Sequence, residues 1–138
     1  MAKWSYSSLS LFKQCPRKYY RLKVKKDITQ SMTTALLYGK SAEHADLKQL
    51  DLLSLAVFKH FPLINNIKAG LVFVVSKDLV KTEYERSDVT KLWDKFKFDV
   101  ECMEKAYEVD VWNPKQNFTC KNYCPVKDCE HNGRGMYE

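Results

Sequence analysis

The chain has 138 residues, a length that fits one compact domain, and its 45% hydrophobic and 13% aromatic residues are ordinary for a folded protein. Its four glycines and four prolines form no low-complexity tract, and no apolar run reaches the roughly 18 residues that a membrane helix needs. These features exclude a disordered or collagen-like chain and predict a single cytoplasmic domain over residues 1–138, without a membrane segment.

The net charge of +6 comes from the first part of the chain. Residues 1–26 contain eight lysines or arginines and no aspartate or glutamate, whereas acidic residues slightly outnumber basic ones in the remainder. Cations interleaved with tyrosines can bind phosphates while the rings stack on bases, so we predict a nucleic-acid partner. The alternative interpretation is the solvated face of an amphipathic helix. The predicted contacts with DNA are Arg17, Lys18, Tyr19, Tyr20, Arg21, Lys23, Lys25 and Lys26.

The first predicted element is a basic helix within residues 1–26, for which Ser7 or Ser8 can serve as the cap. Pro16 lies in the middle of this helix. Because proline lacks a backbone N–H and clashes with the preceding turn, it should kink or interrupt the helix there. Cys15 would then lie at the bend.

Two further elements follow in the middle of the chain. Residues 33–61 predict a helical region, which Phe61 and Pro62 end. Residues 67–85 predict a β-hairpin. Its nearly apolar first strand is typical of a strand covered on both faces, and its second strand alternates charged residues with Thr82 and Tyr84.

The last regular element that the sequence predicts is a helix over residues 88–110. Its apolar residues recur at the three-and-four spacing of one buried stripe, which predicts the core positions Val89, Leu92, Trp93, Phe96, Val100, Met103 and Tyr107. Cys102 lies within the same helix, and we interpret it as a buried free thiol that acts as a small hydrophobe.

The other four cysteines lie near the two ends of the chain. Cys15 stands alone near the start, while Cys120, Cys124 and Cys129 crowd a predicted loop over residues 118–134. Cysteines in a reducing compartment are more often metal ligands than disulfides. Closely spaced thiolates can reach one ion or cluster from a single loop, and a fourth thiolate from a distant segment closes a four-sulfur site.

Zinc is an alternative to a cluster at this site. Cys120, Cys124, Cys129 and His131 supply a local tetrahedral set of ligands without any contribution from Cys15. The two arrangements therefore differ in whether the N-terminal cysteine is a ligand.

Both ends of the sequence resemble one family of nucleases. The segment SYSSLSLFKQCPRKYY over residues 5–20 resembles the opening of RecB-like nucleases in the iron–sulfur branch of the PD-(D/E)xK superfamily, and FTCKNYCPVKDC over residues 118–129 resembles their closing segment. That branch includes the AddB nuclease domain, CRISPR-adaptation exonucleases and phage exonucleases. Its cluster uses one cysteine before the nuclease core and three after it, so the resemblance implies a [4Fe–4S] cluster on the four terminal cysteines.

The middle of the chain matches that family less well. Residues 48–58 resemble the helix that follows the catalytic lysine, where Gln49 matches a glutamine that helps to position DNA or the active site. The Asp and (D/E)xK motifs that hold a catalytic Mg²⁺ or Mn²⁺ normally occupy many tens of residues, whereas Gly39 and Gln49 lie close together here. The resemblance therefore implies that the Mg²⁺ or Mn²⁺ site is lost, and we interpret His44 and Asp46 as ordinary residues.

We expect a helix-rich α/β remnant of the PD-(D/E)xK nuclease fold, with three to four helices around a small β-hairpin and a four-cysteine metal centre joining the termini. The implied function is a DNA-binding iron–sulfur protein of a bacterial or phage-infected cell, which binds single strands or duplex ends without cleaving them by itself. One alternative is an active exonuclease that lacks or replaces the catalytic segment, with Glu43, Asp46 or Asp51 as carboxylates. Another is a zinc-stabilised interaction module. A protein partner or a second copy could cover the sheet edge that lost strands would expose.

Overall fold

The computed structural model describes residues 5–30 and 46–136. These ranges combine helices with a two-stranded antiparallel sheet, which confirms the predicted mixture of helix and strand. The elements are α1 (Tyr6–Gln14), α2 (Pro16–Tyr19), α3 (Lys48–His60), β1 (Asn66–Phe73), β2 (Asp78–Glu85) and α4 (Val89–Val109). A π-helical turn continues α2, and 3₁₀ turns precede α4 and lead into the cysteine loop.

The chain divides into two compact units. One consists of Met1–Ser31 together with Phe98–Glu138, and the other of Met32–Lys97. The first unit contains the basic N-terminal segment and the cysteine loop, and the second contains α3 and the hairpin. Among the described helices, none is both long and apolar enough to cross a bilayer. Folding as a single domain stays a prediction.

In the first unit, the break that Pro16 predicts is present at Cys15. Cys15 adopts an extended backbone (φ −163°, ψ 110°) that ends α1, and Pro16 occupies the first position of α2. Proline disfavours helical geometry in the residue before it, which explains both features. The cap of α1 is Ser5 rather than the predicted Ser7 or Ser8, because the Ser5 side chain accepts the N–H of Ser8.

In the second unit, α3 and the hairpin share an apolar core. Leu50 and Phe58 of α3, Tyr84 of β2 and Leu92 of α4 form its buried centre. Strand β1 alternates between half-buried and exposed residues, so the expected coverage of both faces is wrong. Its alternate apolar side chains pack against this core, whereas Val72 on the other face is 70% exposed. Successive side chains of a strand point to opposite faces, and the helix covers one of them.

The apolar stripe of α4 is buried mainly as predicted. Leu92, Phe96, Val100 and Met103 are buried, whereas the predicted core residues Trp93 and Tyr107 are each 38% exposed. The interpretation of Cys102 as a buried thiol is wrong, since its side chain is exposed. It precedes Met103 by one position, and one residue of an α-helix rotates the side chain by about 100° away from the stripe.

Arg86 stabilises the end of α3 and the loop between α3 and β1 through hydrogen bonds. Its guanidinium donates to the carbonyls of Phe58 (3.2 Å), Phe61 (2.7 Å) and Ile64 (2.8 Å). The same group lies 5.0 Å from the ring centre of Phe58. The Phe58 carbonyl lies in the last turn of α3 and the other two follow its end, where backbone acceptors lack partners within the helix. Arg86 therefore caps α3 from a distant part of the sequence.

The substitution Arg86→Met should lower the free energy of unfolding by about 2 kcal/mol, because it removes three hydrogen bonds to carbonyls and a cation–π contact. Urea unfolding followed by circular dichroism measures this loss. The control Lys68→Met removes an equal charge from an exposed ion pair of the hairpin, and we expect a change below about 0.5 kcal/mol. Equal unfolding midpoints for the two variants would contradict the assigned role of Arg86.

Candidate metal centre

A cavity in the first unit is lined by the four cysteines that the sequence predicts as ligands. Cys15, Cys120 and Cys124 are buried and Cys129 is partly buried. The rest of the lining consists of Arg17, Lys18, Lys115, Asn117 and Val126. The cavity encloses about 10 Å³, room for roughly one water molecule. Within residues 5–30 and 46–136, no group of three or more Cys, His, Asp or Glu side chains is arranged to hold a metal ion.

The segment that leads into the cysteine loop connects the two sides of this cavity. The backbone N–H of Lys115 donates to Sγ of Cys15, and that of Asn117 to Sγ of Cys120, each at 3.4 Å. The Asn117 side chain also donates to the carbonyl of Gln14 at the end of α1, at 3.2 Å. Backbone donors to cysteine sulfur are a regular feature of iron–sulfur and zinc sites, where they stabilise the thiolate.

Asn117 also fixes the local conformation at Cys120. Its side-chain oxygen accepts the backbone N–H and the hydroxyl of Thr119, at 3.0 and 2.6 Å. This cap starts the short 3₁₀ turn Phe118–Cys120 and so sets the position of the first cysteine of the loop. Lys115 and Asn117 were not among the predicted site residues. The asparagine three positions before a cysteine is the one signal in the sequence that could have indicated the cap.

Hydrogen bonds within the cysteine loop fix the rest of its conformation. The backbone N–H of Gly133 donates to the carbonyl of Cys120 at 2.9 Å, and the Asn132 side chain donates to the carbonyl of Cys124 at 3.0 Å.

Burial raises the pKa of the Cys124 thiol, while the Val126 backbone and the charge of Lys18 act in the opposite direction. A metal at Cys124 would therefore have to displace a proton that the buried site otherwise retains.

The cavity lining contains three members of the predicted local zinc set, Cys120, Cys124 and Cys129, but not His131. His131 is half-buried and lies 3.8 Å from Glu130, and it is not among the residues that line the cavity. Cys15, which the local set does not require, is in the lining.

Two of the predicted DNA-binding residues are buried in the first unit. Lys18 is 3% exposed and Tyr19 is 2% exposed. The Tyr19 hydroxyl hydrogen-bonds to that of Tyr107 at 2.8 Å, and burial raises the pKa of Tyr19 far above its ordinary value. Neither side chain is available at the surface for a direct contact with DNA.

Tyr20 and Arg21 also interact within the protein. The Tyr20 ring stacks on Trp112, with ring centres 5.1 Å apart and planes at 25°. Arg21 donates to Asp27 at 2.7 Å and to both oxygens of Asp128 at 2.9 and 2.7 Å, and it lowers the pKa of both carboxyls. Because Asp128 precedes Cys129, this pair links the basic segment to the cysteine loop.

The remaining predicted contacts are more accessible. Lys23, Lys25 and Lys26 are exposed, although Lys25 also contacts Asp27 at 3.0 Å. Arg17 is half-buried at the cavity wall. In the second unit, Gln49 is exposed in the first turn of α3.

The carboxylates that an exonuclease could use have different positions. Asp51 is 6% exposed and accepts hydrogen bonds from the Tyr84 hydroxyl and from Lys95, both at 2.8 Å. Asp46 is exposed and accepts the backbone N–H of Lys48 at 3.1 Å. Glu43 and His44 lie outside the described residues.

Comparison of this chain with protein-family models, with curated proteins and with solved structures finds no match. Its relation to the RecB-like nucleases therefore stays a prediction from the terminal motifs.

The buried tyrosine beside Asp51 should make stability sensitive to alkaline pH. Burial, the hydrogen bond to Asp51 and the charge of that carboxylate raise the pKa of Tyr84 to about 12. The ordinary pKa of tyrosine is about 10, so this contribution to stability is complete below about pH 10 and is lost as the pH rises toward 12. The free energy of unfolding should therefore decrease less between about pH 9 and 11 in Tyr84→Phe than in the wild type.

Urea unfolding at the two pH values tests this expectation. The control Tyr123→Phe changes a tyrosine that is 59% exposed, so its pH dependence should equal that of the wild type. Identical pH dependence in Tyr84→Phe and the wild type would refute the prediction.

Proposed function

We propose that this protein binds DNA and holds a [4Fe–4S] cluster on Cys15, Cys120, Cys124 and Cys129, as a member of the iron–sulfur branch of RecB-like nucleases. The observation that carries the proposal is that these four cysteines, from opposite ends of the chain, line one cavity. Four thiols with backbone N–H donors to two of them match the chemistry of an iron–sulfur site. When bound, a cluster supplies a cross-link between the two ends and a centre for one-electron chemistry.

Cys15 in the lining favours a set of four thiolates over the local set with His131. Because no three of these side chains are arranged to hold a metal ion in the structure described for residues 5–30 and 46–136, binding of a cluster would require the cysteine side chains to rearrange. Such a rearrangement is in keeping with metal sites in which binding and local folding are coupled. The donor set would also accept zinc, which the metal analysis described below distinguishes.

The DNA-binding part of the proposal is supported by the accessible groups of the first unit. Lys23, Lys25 and Lys26 form an exposed basic run directly after the cavity-lining segment. In the cysteine loop, Phe118 is 71% exposed and Tyr123 is 59% exposed. Exposed rings and cations in one compact unit are the groups that proteins use to bind single strands, by stacking on bases and neutralising phosphates. Buried Lys18 and Tyr19 are not part of this surface.

Binding without cleavage fits the environment of Asp51. This carboxylate is buried and accepts hydrogen bonds from Tyr84 and Lys95, so a metal ion would compete with both contacts. Its interactions are those of a core residue, since a buried charge is stable only when paired and hydrogen-bonded. We therefore propose that the Mg²⁺ or Mn²⁺ site of the family is absent and that the protein acts on DNA without hydrolysing it.

The first test is metal analysis of protein purified and reconstituted without oxygen, together with a nuclease assay on the same sample. We expect iron and sulfide in equal amounts and no loss of DNA. Cys15→Ser should lose the metal, because the cluster then has three thiolate ligands, and should unfold at a lower temperature than the wild type.

The matched control is Cys102→Ser, which changes an exposed thiol outside the cavity and should keep the metal. Retention of bound metal by Cys15→Ser would contradict the four-cysteine centre and favour the local zinc set. Metal-dependent degradation of DNA by the wild type would instead establish the exonuclease alternative.

The basic run should dominate the salt dependence of DNA binding. If Lys23, Lys25 and Lys26 each neutralise one phosphate, their joint replacement by glutamine should reduce the slope of log affinity against log salt by about 2 for single strands. Fluorescence anisotropy with labelled oligonucleotides at several salt concentrations measures the slope.

A second triple variant separates local contacts from net charge. Replacement of Lys59, Lys81 and Lys91 by glutamine removes the same charge from exposed positions of the second unit, and the slope should change by less than about 0.5. Equal changes in both triple variants would argue against a binding surface at the basic run.

A further inference from the structure

The hairpin of the second unit has an open strand edge on β2. Strands β1 and β2 form a two-stranded antiparallel sheet. In such a pair, only alternate residues exchange hydrogen bonds, and the backbone groups of the others point away from the neighbouring strand. The backbone N–H of Arg86 donates to the carbonyl of Asn65 at 2.8 Å, in the same register as the pairs of the sheet. This bond identifies the residues of β2 whose backbone groups point outward as Leu79, Lys81, Glu83 and Glu85.

These outward groups can accept a further strand. Within residues 5–30 and 46–136, they form no hydrogen bond with another part of the chain. A row of unpaired N–H and C=O groups is a template for pairing with another extended segment. A two-stranded sheet also gains stability when further strands are added to it. The edge of β2 is therefore a site for strand addition.

The side chains along this edge select the strand that fits. Lys81 and Glu83 are exposed and flank Thr82 on either side. If a second copy of β2 pairs antiparallel with its two-fold axis at Thr82, each Lys81 lies opposite a Glu83. Opposite charges in directly facing positions stabilise a sheet, whereas an axis at Lys81 or at Glu83 would place like charges opposite each other. The charges of β2 are thus self-complementary in this register.

The same register suits the neighbouring side chains. On the face that packs against the core, it places Val80 opposite Tyr84 of the second copy, a β-branched residue facing an aromatic one. On the exposed face, Glu83 already lies 3.4 Å from Lys68 of β1. Lys81 of the second copy would approach Glu83 from the other side, so that each of these carboxylates would lie between two lysines.

The edge of β1 lacks this self-complementarity. Its exposed side chains include a single charged residue, and they are Asn66, Lys68, Gly70 and Val72. Two copies of this strand therefore cannot place opposite charges in facing positions in any register.

We propose that β2 is the contact edge of a homodimer, in which two hairpins join into a four-stranded antiparallel sheet with the two β2 strands at its centre. The backbone groups of Leu79, Lys81, Glu83 and Glu85 then pair with those of the second copy. This inference does not rest on the metal centre or on DNA binding, since the whole hairpin lies in the second unit.

The first test measures the association of the full chain by sedimentation velocity over a dilution series, with a reductant present to prevent a disulfide at exposed Cys102. We expect the wild type to dimerise. Lys81→Glu creates facing acidic pairs and Glu83→Lys creates facing basic pairs, so each should raise the dissociation constant about tenfold. The control Lys97→Glu makes the same charge change at an exposed position of α4, and the dissociation constant should stay unchanged.

Two combinations of these variants test the register. The double variant Lys81→Glu/Glu83→Lys restores opposite charges in both facing pairs, and its dissociation constant should lie within about threefold of the wild-type value. An equimolar mixture of the two single variants should form a heterodimer, because the acidic strand of one faces the basic strand of the other. Single variants that dimerise as tightly as the wild type, or a folded double variant that stays monomeric, would overturn the proposal.

Amide exchange of the wild type locates the contact without any substitution. When the protein is concentrated, the outward N–H groups of Lys81 and Glu83 should exchange about tenfold more slowly, because they become hydrogen-bonded in the dimer. Those of Lys68 and Gly70 on the edge of β1 serve as the control and should not change. A wild type that is monomeric at every concentration, or a dimer with unprotected amides at Lys81 and Glu83, would overturn the proposal.

Discussion

The first unit depends on the fixed position of Cys15 at the break between α1 and α2. Pro16 forces this residue into an extended backbone, which ends one helix and turns the next. After α4 the chain passes close to this break again. There the backbone N–H of Lys115 donates to Sγ of Cys15, and the Asn117 side chain donates to the last carbonyl of α1. Without the break, the thiol would follow a continuous helix and these backbone donors would have no acceptor at this place. The cavity therefore depends on Pro16 and on the segment with Lys115 and Asn117 that follows α4.

The same constraint divides the basic segment into parts with different roles. Lys18 and Tyr19 follow the break within α2 and are turned into the interior. Arg21 lies in the π-helical turn, where it reaches Asp27 and Asp128. Lys23 and the cations after it are exposed, although Lys25 also reaches Asp27. A run of like charges in sequence therefore becomes a buried lysine side chain, an ion-paired arginine and an exposed run of lysines within nine residues.

Local patterns in the sequence predict much of this structure. The hairpin follows from its nearly apolar first strand and its alternating second strand, and α4 follows from its helical spacing. The break at Cys15 follows from the chemistry of proline. Pairings between distant residues could not be predicted in this way. The sequence predicts that Tyr20 stacks on bases, but nothing near Tyr20 or Trp112 in sequence indicates that their rings stack on each other. The exposure of Cys102 depends on the rotational position of α4 within the core, which spacing defines only to within about one residue.

The burial of the cavity cysteines affects how readily a metal could replace their protons. Burial raises the pKa of the Cys124 thiol, and the Val126 backbone and the charge of Lys18 offset that effect only in part. A raised pKa keeps this thiol neutral at neutral pH, so the metal-free cavity does not contain a buried thiolate at this position. A metal that bound there would have to displace the proton, and its affinity would therefore increase as the pH rises toward the pKa of the thiol.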